Sequence, residues 1–170
     1  MMKGYLANGL FSLGDRMVNR VIATQLRGAY REITGEQLDL FVPQEQTIND
    51  KSSYADSVMI AKLDSESLMT SDFLVAVIDG VEIDSGVAAE IGMYSTTGKP
   101  IFALYTDIRQ GGRDNTQKIG ALIEDCTENQ FMYRNLFVVG LVKQNGAVFL
   151  DIDSLIEDFM TYVKEDINNG

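Results

Sequence analysis

Residues 72–80, DFLVAVIDG, set six apolar side chains in unbroken succession between acidic ends. A strand this apolar on both faces needs cover on both, the condition of a central strand in a parallel sheet flanked by helices. The rest of the chain repeats that unit. KGYLAN, QLDLFVP, KPIFALYT and AVFLD are further short apolar runs, and between them lie longer stretches whose apolar residues recur at helical spacing. In FSLGDRMVNRVIATQLRGAYREIT, Met17, Val21, Ile22 and Ala29 carry that spacing up to Gly35. Residues 53–71, SYADSVMIAKLDSESLMTS, read as a second helix. A third runs from Asp84 to Thr97 with Gly98 as its C-terminal cap, and SLIEDFMTYVKEDINN closes the chain. NLFVVGLVKQNG, residues 135–146, fits a strand or a helix; Asn135 as cap and Gly146 as stop favour the helix and leave AVFLD as the fifth strand. DIRQGGRDN reads as a mobile surface loop.

Five strands alternating with helices predict a flavodoxin-like three-layer α/β fold: a five-stranded parallel sheet with helices on both faces. No repeat, low-complexity tract or linker interrupts it, so residues 1–170 are expected to form one domain. Ligands of such sheets gather at the carboxyl ends of the strands, beside the switch between the first and third. Here those ends are YLANG, which includes Gly9, and IDGVEIDSG.

Composition removes several classes of function. A net charge of −11 argues against binding the phosphate backbone of nucleic acid, which rests on clustered Lys and Arg. The absence of histidine removes Ser-His-Asp and Cys-His catalysis and His-based metal sites. The lone Cys126 excludes an internal disulfide framework and suits a reducing compartment. No apolar run reaches the length of a membrane span, and the N-terminal one is too short for a signal peptide. The expectation is a cytoplasmic protein with a small-molecule partner and no membrane association. Neither G-x-G-x-x-G nor a P-loop follows the first strand, LDIDSLIED lacks the spacing of a calcium loop, and nothing calls for a cofactor or a metal. Carboxylates are left to move protons.

Glu90 lies in SGVAAEIGMY, where an amphipathic helix should be apolar. With Asp84 or Ser85 as cap, Glu90 falls in the second turn, and its side chain leans back toward the N-terminus over Gly86 and Val87. Gly86 then leaves it room to reach the strand ends, and the positive end of the helix dipole favours negative charge there. Taken singly, Asp84 is an ordinary cap and Glu82 a solvated loop residue. Together, Asp84 and Glu90 give the paired acids of glycosyl chemistry, in which one carboxylate attacks the anomeric carbon and another handles the leaving-group proton.

YLANGLFSLGDR, DSGVAAEIGMYSTTGKPI and RNLFVVGLV, in that order and spacing, resemble the nucleoside 2-deoxyribosyltransferases. The resemblance runs from Tyr5 to the last helix. It implies that Glu90 is the nucleophile that attacks C1′ of a 2′-deoxynucleoside, with net retention through a covalent deoxyribosyl-glutamate. It implies that Tyr5 orients Glu90, that Asp64 contacts the base and its proton, and that Asp84, with Ser85 and Gly86 beside it, binds the sugar. Gln44 or Gln46 is placed near the base. Asn135 matches an asparagine that crosses to a neighbouring subunit's site to hold the 5′-hydroxyl, which implies a homo-oligomer acting on a deoxynucleoside and a free nucleobase without a cofactor. Two readings stay open beside exchange of bases. One is hydrolysis of (deoxy)nucleosides or 5′-nucleotides, for which Ser12, Arg16 and Ser85 are candidate phosphate ligands; the other is a non-catalytic nucleotide-binding module.

Overall fold

A computed structural model describes residues 1–49 and 54–169. Strands β1 (Lys3–Ala7), β2 (Asp39–Phe41), β3 (Phe73–Val77), β4 (Ile101–Leu104) and β5 (Gly146–Phe149) pair in parallel in the order β2-β1-β3-β4-β5. This is the 2-1-3-4-5 order of flavodoxin-like folds, with β1 and β3 adjacent at the switch point. Helices α1 (Leu13–Thr34), α2 (Ser57–Thr70), α3 (Ser85–Ser95), α4 (Thr116–Glu124), α5 (Leu136–Asn145) and α6 (Ile152–Asn169) complete the described chain. None is long and apolar enough to cross a membrane.

Alternate residues of each strand enter opposite cores. Leu6, Leu40, Phe73, Val75, Val77, Phe102 and Leu104 face α1 and α6, where they meet Ile22, Leu26, Tyr30, Leu155, Phe159 and Val163. Tyr5, Ala7, Leu74, Ala76, Ile78, Ile101, Ala103 and Tyr105 face α2, α3 and α5, against Leu68, Val87, Ile91, Tyr94, Val138 and Val142. All five residues of β3 are buried, as two-sided cover requires. The ambiguous 135–146 segment is a helix, capped by the Asn135 side-chain amide oxygen, which accepts from the Phe137 and Val138 N–H groups.

Several local expectations need adjusting. In α1 the buried stripe runs through Asn19, Ile22, Ala23, Leu26, Ala29 and Tyr30, whereas Met17 and Val21 point outward with Leu13. Positions 17 and 21 are four apart and share a face, but that face is turned away from the one that Ile22 and Leu26 present to the sheet. The second helix begins at Ser57, where the Asp56 side chain caps it by accepting from Met59 N–H; the Ser53 at which that helix was expected to start lies outside the described residues. The third ends at Ser95, and Gly98, at φ 70°, turns the chain toward β4. The sequence reading assigns no element to residues 116–124, which form α4, a nine-residue helix capped by Asn115 with Gly120 in its middle and none of its residues buried. The DIRQGGRDN segment contains a 3-10 turn and is tied down by Lys118, whose ammonium donates to the Arg109 and Gly111 carbonyls.

The α6 side of the sheet centres on Phe73, whose ring lies 4.9 Å from that of Phe159 and edge-on to Phe102 and Tyr162. The same ring covers Gly4 on the neighbouring strand so closely that an added Cβ would stand 2.3 Å from its Cζ. With three rings around it, Phe73 has nowhere to move. Gly4→Ala is expected to destabilise by about 1–3 kcal/mol as an overpacked core site; a thermal unfolding midpoint unchanged from the parent would refute that account.

Candidate functional site

The central strands bring one polar side chain into the α2/α3 core. Tyr5, fully buried in the middle of β1, has its ring stacked on Phe41 with centroids 5.1 Å apart, and its hydroxyl donates to Glu90 Oε1 at 2.6 Å. Glu90 therefore does lean off α3 toward the strands. A hydrogen bond this short to a carboxylate is among the strong, charge-assisted kind. Burial, and next the Glu90 charge, push the Tyr5 pKa well above its ordinary value, so the hydroxyl stays protonated and stays a donor.

Glu90 itself is not held ionised by the helix terminus, contrary to the dipole argument. Burial raises its pKa from 4.5 to about 7, against the opposing hydrogen bond from Tyr5 and with added repulsion from Asp64 and Asp84. Desolvation and two neighbouring carboxylates outweigh a half-charge spread over a helix end. Asp64, on the inner side of α2, completes the cluster. Its Oδ1 is buried with no hydrogen-bond partner among the described residues, and burial raises its pKa as well. Burial thus raises the pKa of both acids, the one gripped by a tyrosine and the one unpartnered, and the Asp64 charge adds to the rise at Glu90.

Asp84 caps α3, Oδ1 accepting from the Gly86 and Val87 N–H groups at 2.8 and 3.2 Å. Gly86 serves this cap rather than Glu90: a Cβ there would come within 3.0 Å of Asp84 Oδ1. Ser85 is exposed at the first position of the helix. Asn135, exposed at the α5 N-terminus, spends its side-chain oxygen on the cap, which leaves its Nδ2 without a partner among the described residues. Asp84 and Asn135 are thus both used as caps, and only one side of each polar head remains for a ligand.

The Gly9 edge of the site holds a chain of amides that sequence reasoning missed. Asn8 Nδ2 donates to Asn19 Oδ1 at 2.7 Å, and Asn19 Nδ2 donates to the Gly9 carbonyl and to Gln44 Oε1 at 2.9 and 3.0 Å. The signal was present: Asn19 interrupts the buried stripe of α1, where a polar residue requires partners. Gln44 is committed to this network, and Gln46 donates to the Val42 carbonyl at 3.4 Å. Ser12 is consumed by a reciprocal cap with Asp15, whose carboxylate accepts from the Ser12 hydroxyl at 2.6 Å and lies 3.0 Å from where a Gly9 Cβ would sit. Among the described residues, no group of three or more Asp, Glu, Cys or His side chains is placed to hold a metal ion.

A tyrosine-held glutamate beside a half-buried acid, at the switch point of a 2-1-3-4-5 sheet, is the candidate site of this flavodoxin-like α/β fold. The chain belongs to the nucleoside 2-deoxyribosyltransferase family, whose profile matches residues 5–149. No curated protein matches it. Among solved structures, a conserved protein from Enterococcus faecalis V583 is 47% identical, with 95% of this chain and 99% of that one covered and a TM-score of 0.86. The 2-deoxyribosyltransferase of Bacillus psychrosaccharolyticus is 20% identical (91% and 90% covered, TM-score 0.61), and that of Leishmania mexicana 16% identical (95% and 98% covered, TM-score 0.59). At those lower identities the likeness is one of fold.

The raised Glu90 pKa has a sign that can be checked. Below pH 4.5 the group is protonated folded or unfolded and costs nothing; between 4.5 and about 7 the unfolded chain alone has lost the proton, so stability falls as pH rises, and the loss stays complete above. By the linkage constant this loss is of order 3 kcal/mol. Glu90→Gln keeps an acceptor for Tyr5 and removes the charge. It is expected to raise the unfolding midpoint at pH 8 by several degrees and to leave it unchanged at pH 4; equal gains at both pH values would contradict the assignment.

Proposed function

We propose that the protein exchanges the bases of 2′-deoxynucleosides by a retaining double displacement. The observation that carries this reading is the 2.6 Å Tyr5–Glu90 hydrogen bond beside the unpartnered Asp64 oxygen. In the first step ionised Glu90 attacks C1′, the C1′–N bond breaks, and protonated Asp64 gives its proton to the departing base. In the second, a nitrogen of the incoming base attacks the same carbon, the C1′–O bond to Glu90 breaks, and Asp64 takes the proton back. Each displacement inverts the carbon, so the configuration is retained. Tyr5 holds the attacking carboxylate, Asp84 and the residues beside it at the α3 N-terminus take the sugar hydroxyls, and Gln46 lies toward the base.

A nucleoside suits the site better than a 5′-nucleotide. Ser12, the first phosphate candidate, is already bonded to Asp15, and that carboxylate opposes a second anion at the same helix end. The assay supplies the protein with a deoxynucleoside and a different free base and resolves the products chromatographically. A new nucleoside is expected. Free deoxyribose without a new nucleoside assigns hydrolysis instead, and no change at high enzyme concentration supports a binding module.

Two variants and a pH profile test the roles. Glu90→Ala is expected to lower turnover by about 10³-fold or more while the unfolding midpoint stays at or above that of the parent. Since Glu90 must be ionised to attack, kcat/KM is expected to fall on the acid side of about pH 7. Tyr5→Phe removes the bond that lowers the Glu90 pKa, so the acid limb should move to higher pH; an unmoved limb would take Tyr5 out of this role.

Exposed Leu13, Met17 and Val21 on α1 and exposed Tyr133, Leu136 and Phe137 around Asn135 support a homo-oligomer in which Asn135 enters the neighbour's site. Its unpartnered Nδ2 supplies the donor. Mixing inactive Glu90→Ala and Asn135→Ala subunits is expected to restore activity, because some sites then combine an intact Glu90 with an intact Asn135 from the other subunit. No recovery after subunit exchange would place both residues in one chain's site.

A further inference from the structure

Arg134 is a buried cation that the proposed chemistry leaves unused. It is 9% exposed, one residue before the Asn135 cap, and its guanidinium lies over the Tyr105 ring, 4.3 Å from the centroid. Its fork points across the molecule at the β3–α3 loop. Nη2 donates to the Gly80 carbonyl at 2.6 Å, and Nη1 donates to the Tyr133 carbonyl at 2.8 Å and to that of Val81 at 3.4 Å. Asp107, also bonded to Arg109, lies 4.0 Å from Nη2 and supplies the countercharge.

The loop it holds has a particular task. Residues 78–83 leave the end of β3, turn at Gly80 with φ 96°, where a side chain would be strained, and deliver Asp84 to the start of α3. Val81 and Glu82, at the crown, are exposed and contribute little packing. A planar fork with two donors on successive carbonyls, seated over an aromatic ring, fixes a loop in a way a single ammonium cannot.

We infer that Arg134 is a positioning residue for the site: it clamps the Gly80 and Val81 carbonyls and so sets where the Asp84 carboxylate stands relative to Glu90. The inference rests on the deoxyribosyltransferase reading for the consequence to activity, but not for the clamp. Glu90 is held separately by Tyr5 and the body of α3, so a loosened loop costs sugar binding more than it costs attack.

Arg134→Met, which keeps length and apolar contact, and Arg134→Lys, which keeps charge, are compared with the parent by amide hydrogen exchange and steady-state kinetics. In Arg134→Met, the amides of residues 86–88, which are bonded to Asp84, are expected to exchange at least about tenfold faster while β1 and β4 exchange as in the parent. KM for the deoxynucleoside is expected to rise about tenfold with kcat within about threefold, and Arg134→Lys to recover part of that loss. Unchanged exchange at residues 86–88, or faster exchange throughout the sheet, overturns the clamp. Faster exchange at residues 86–88 with unchanged KM overturns the role of that positioning in sugar binding. A parent protein that exchanges no bases sinks the deoxyribosyltransferase reading instead, while the hydrogen-exchange comparison still decides the clamp.

Discussion

The register of β1 against its neighbours is the constraint from which both the core and the candidate site follow. Tyr5 pairs with Phe41 on one side and Leu74 on the other, and strand side chains alternate faces. A slip of one residue would send Tyr5 into the Phe73 aromatic cluster and Leu6 toward Glu90. The apolar residues on both faces make that slip expensive, because it would exchange two differently shaped cores at once. A single hydroxyl is thereby delivered to the α2/α3 face with the certainty of a core residue. Glu90 and Asp64, on two helices joined to β1 only through the fold, meet it there.

The electrostatics of the cluster follow from that burial. One hydrogen bond lowers the Glu90 pKa while desolvation and two acids raise it, and the balance ends near neutrality. The helix terminus has a capped end already, since Asp84 takes up the Gly86 and Val87 donors, and its partial charge is a weaker influence than the loss of water.

The sheet was legible from sequence because burial on two faces leaves a pattern that few other arrangements share; the run at 73–78 implied it alone. Asn135 and Gly146 likewise carry local chemistry strong enough to mark a helix inside an ambiguous run. Helix α4 was missed because it is only nine residues long, with Gly120 in its middle, and follows a Gly-containing loop, and Met17 and Val21 misled because periodicity identifies a face without saying what covers it. Of the site, the Asp84 cap and the lean of Glu90 could be worked out from helix geometry. Asp64 could not, because a half-buried acid on a polar helix is told from a solvated one only by what packs over it; its place in the site came from family resemblance. Arg134 and the Asn8–Asn19–Gln44 chain depend on segments far apart in sequence, and only Asn19 left a trace, as a polar residue in an apolar stripe.

An unpaired acid and a half-neutral one inside a small protein also shape how the protein can be improved. Natural chains commonly gain stability from substitutions at sites kept strained for use. Selecting this protein for heat resistance alone would therefore favour uncharged replacements at positions 64 and 90 early, and would reach a robust but idle scaffold. A selection that retains turnover has to find its gains elsewhere, on the α1 and α6 side of the sheet or on the exposed helix α4.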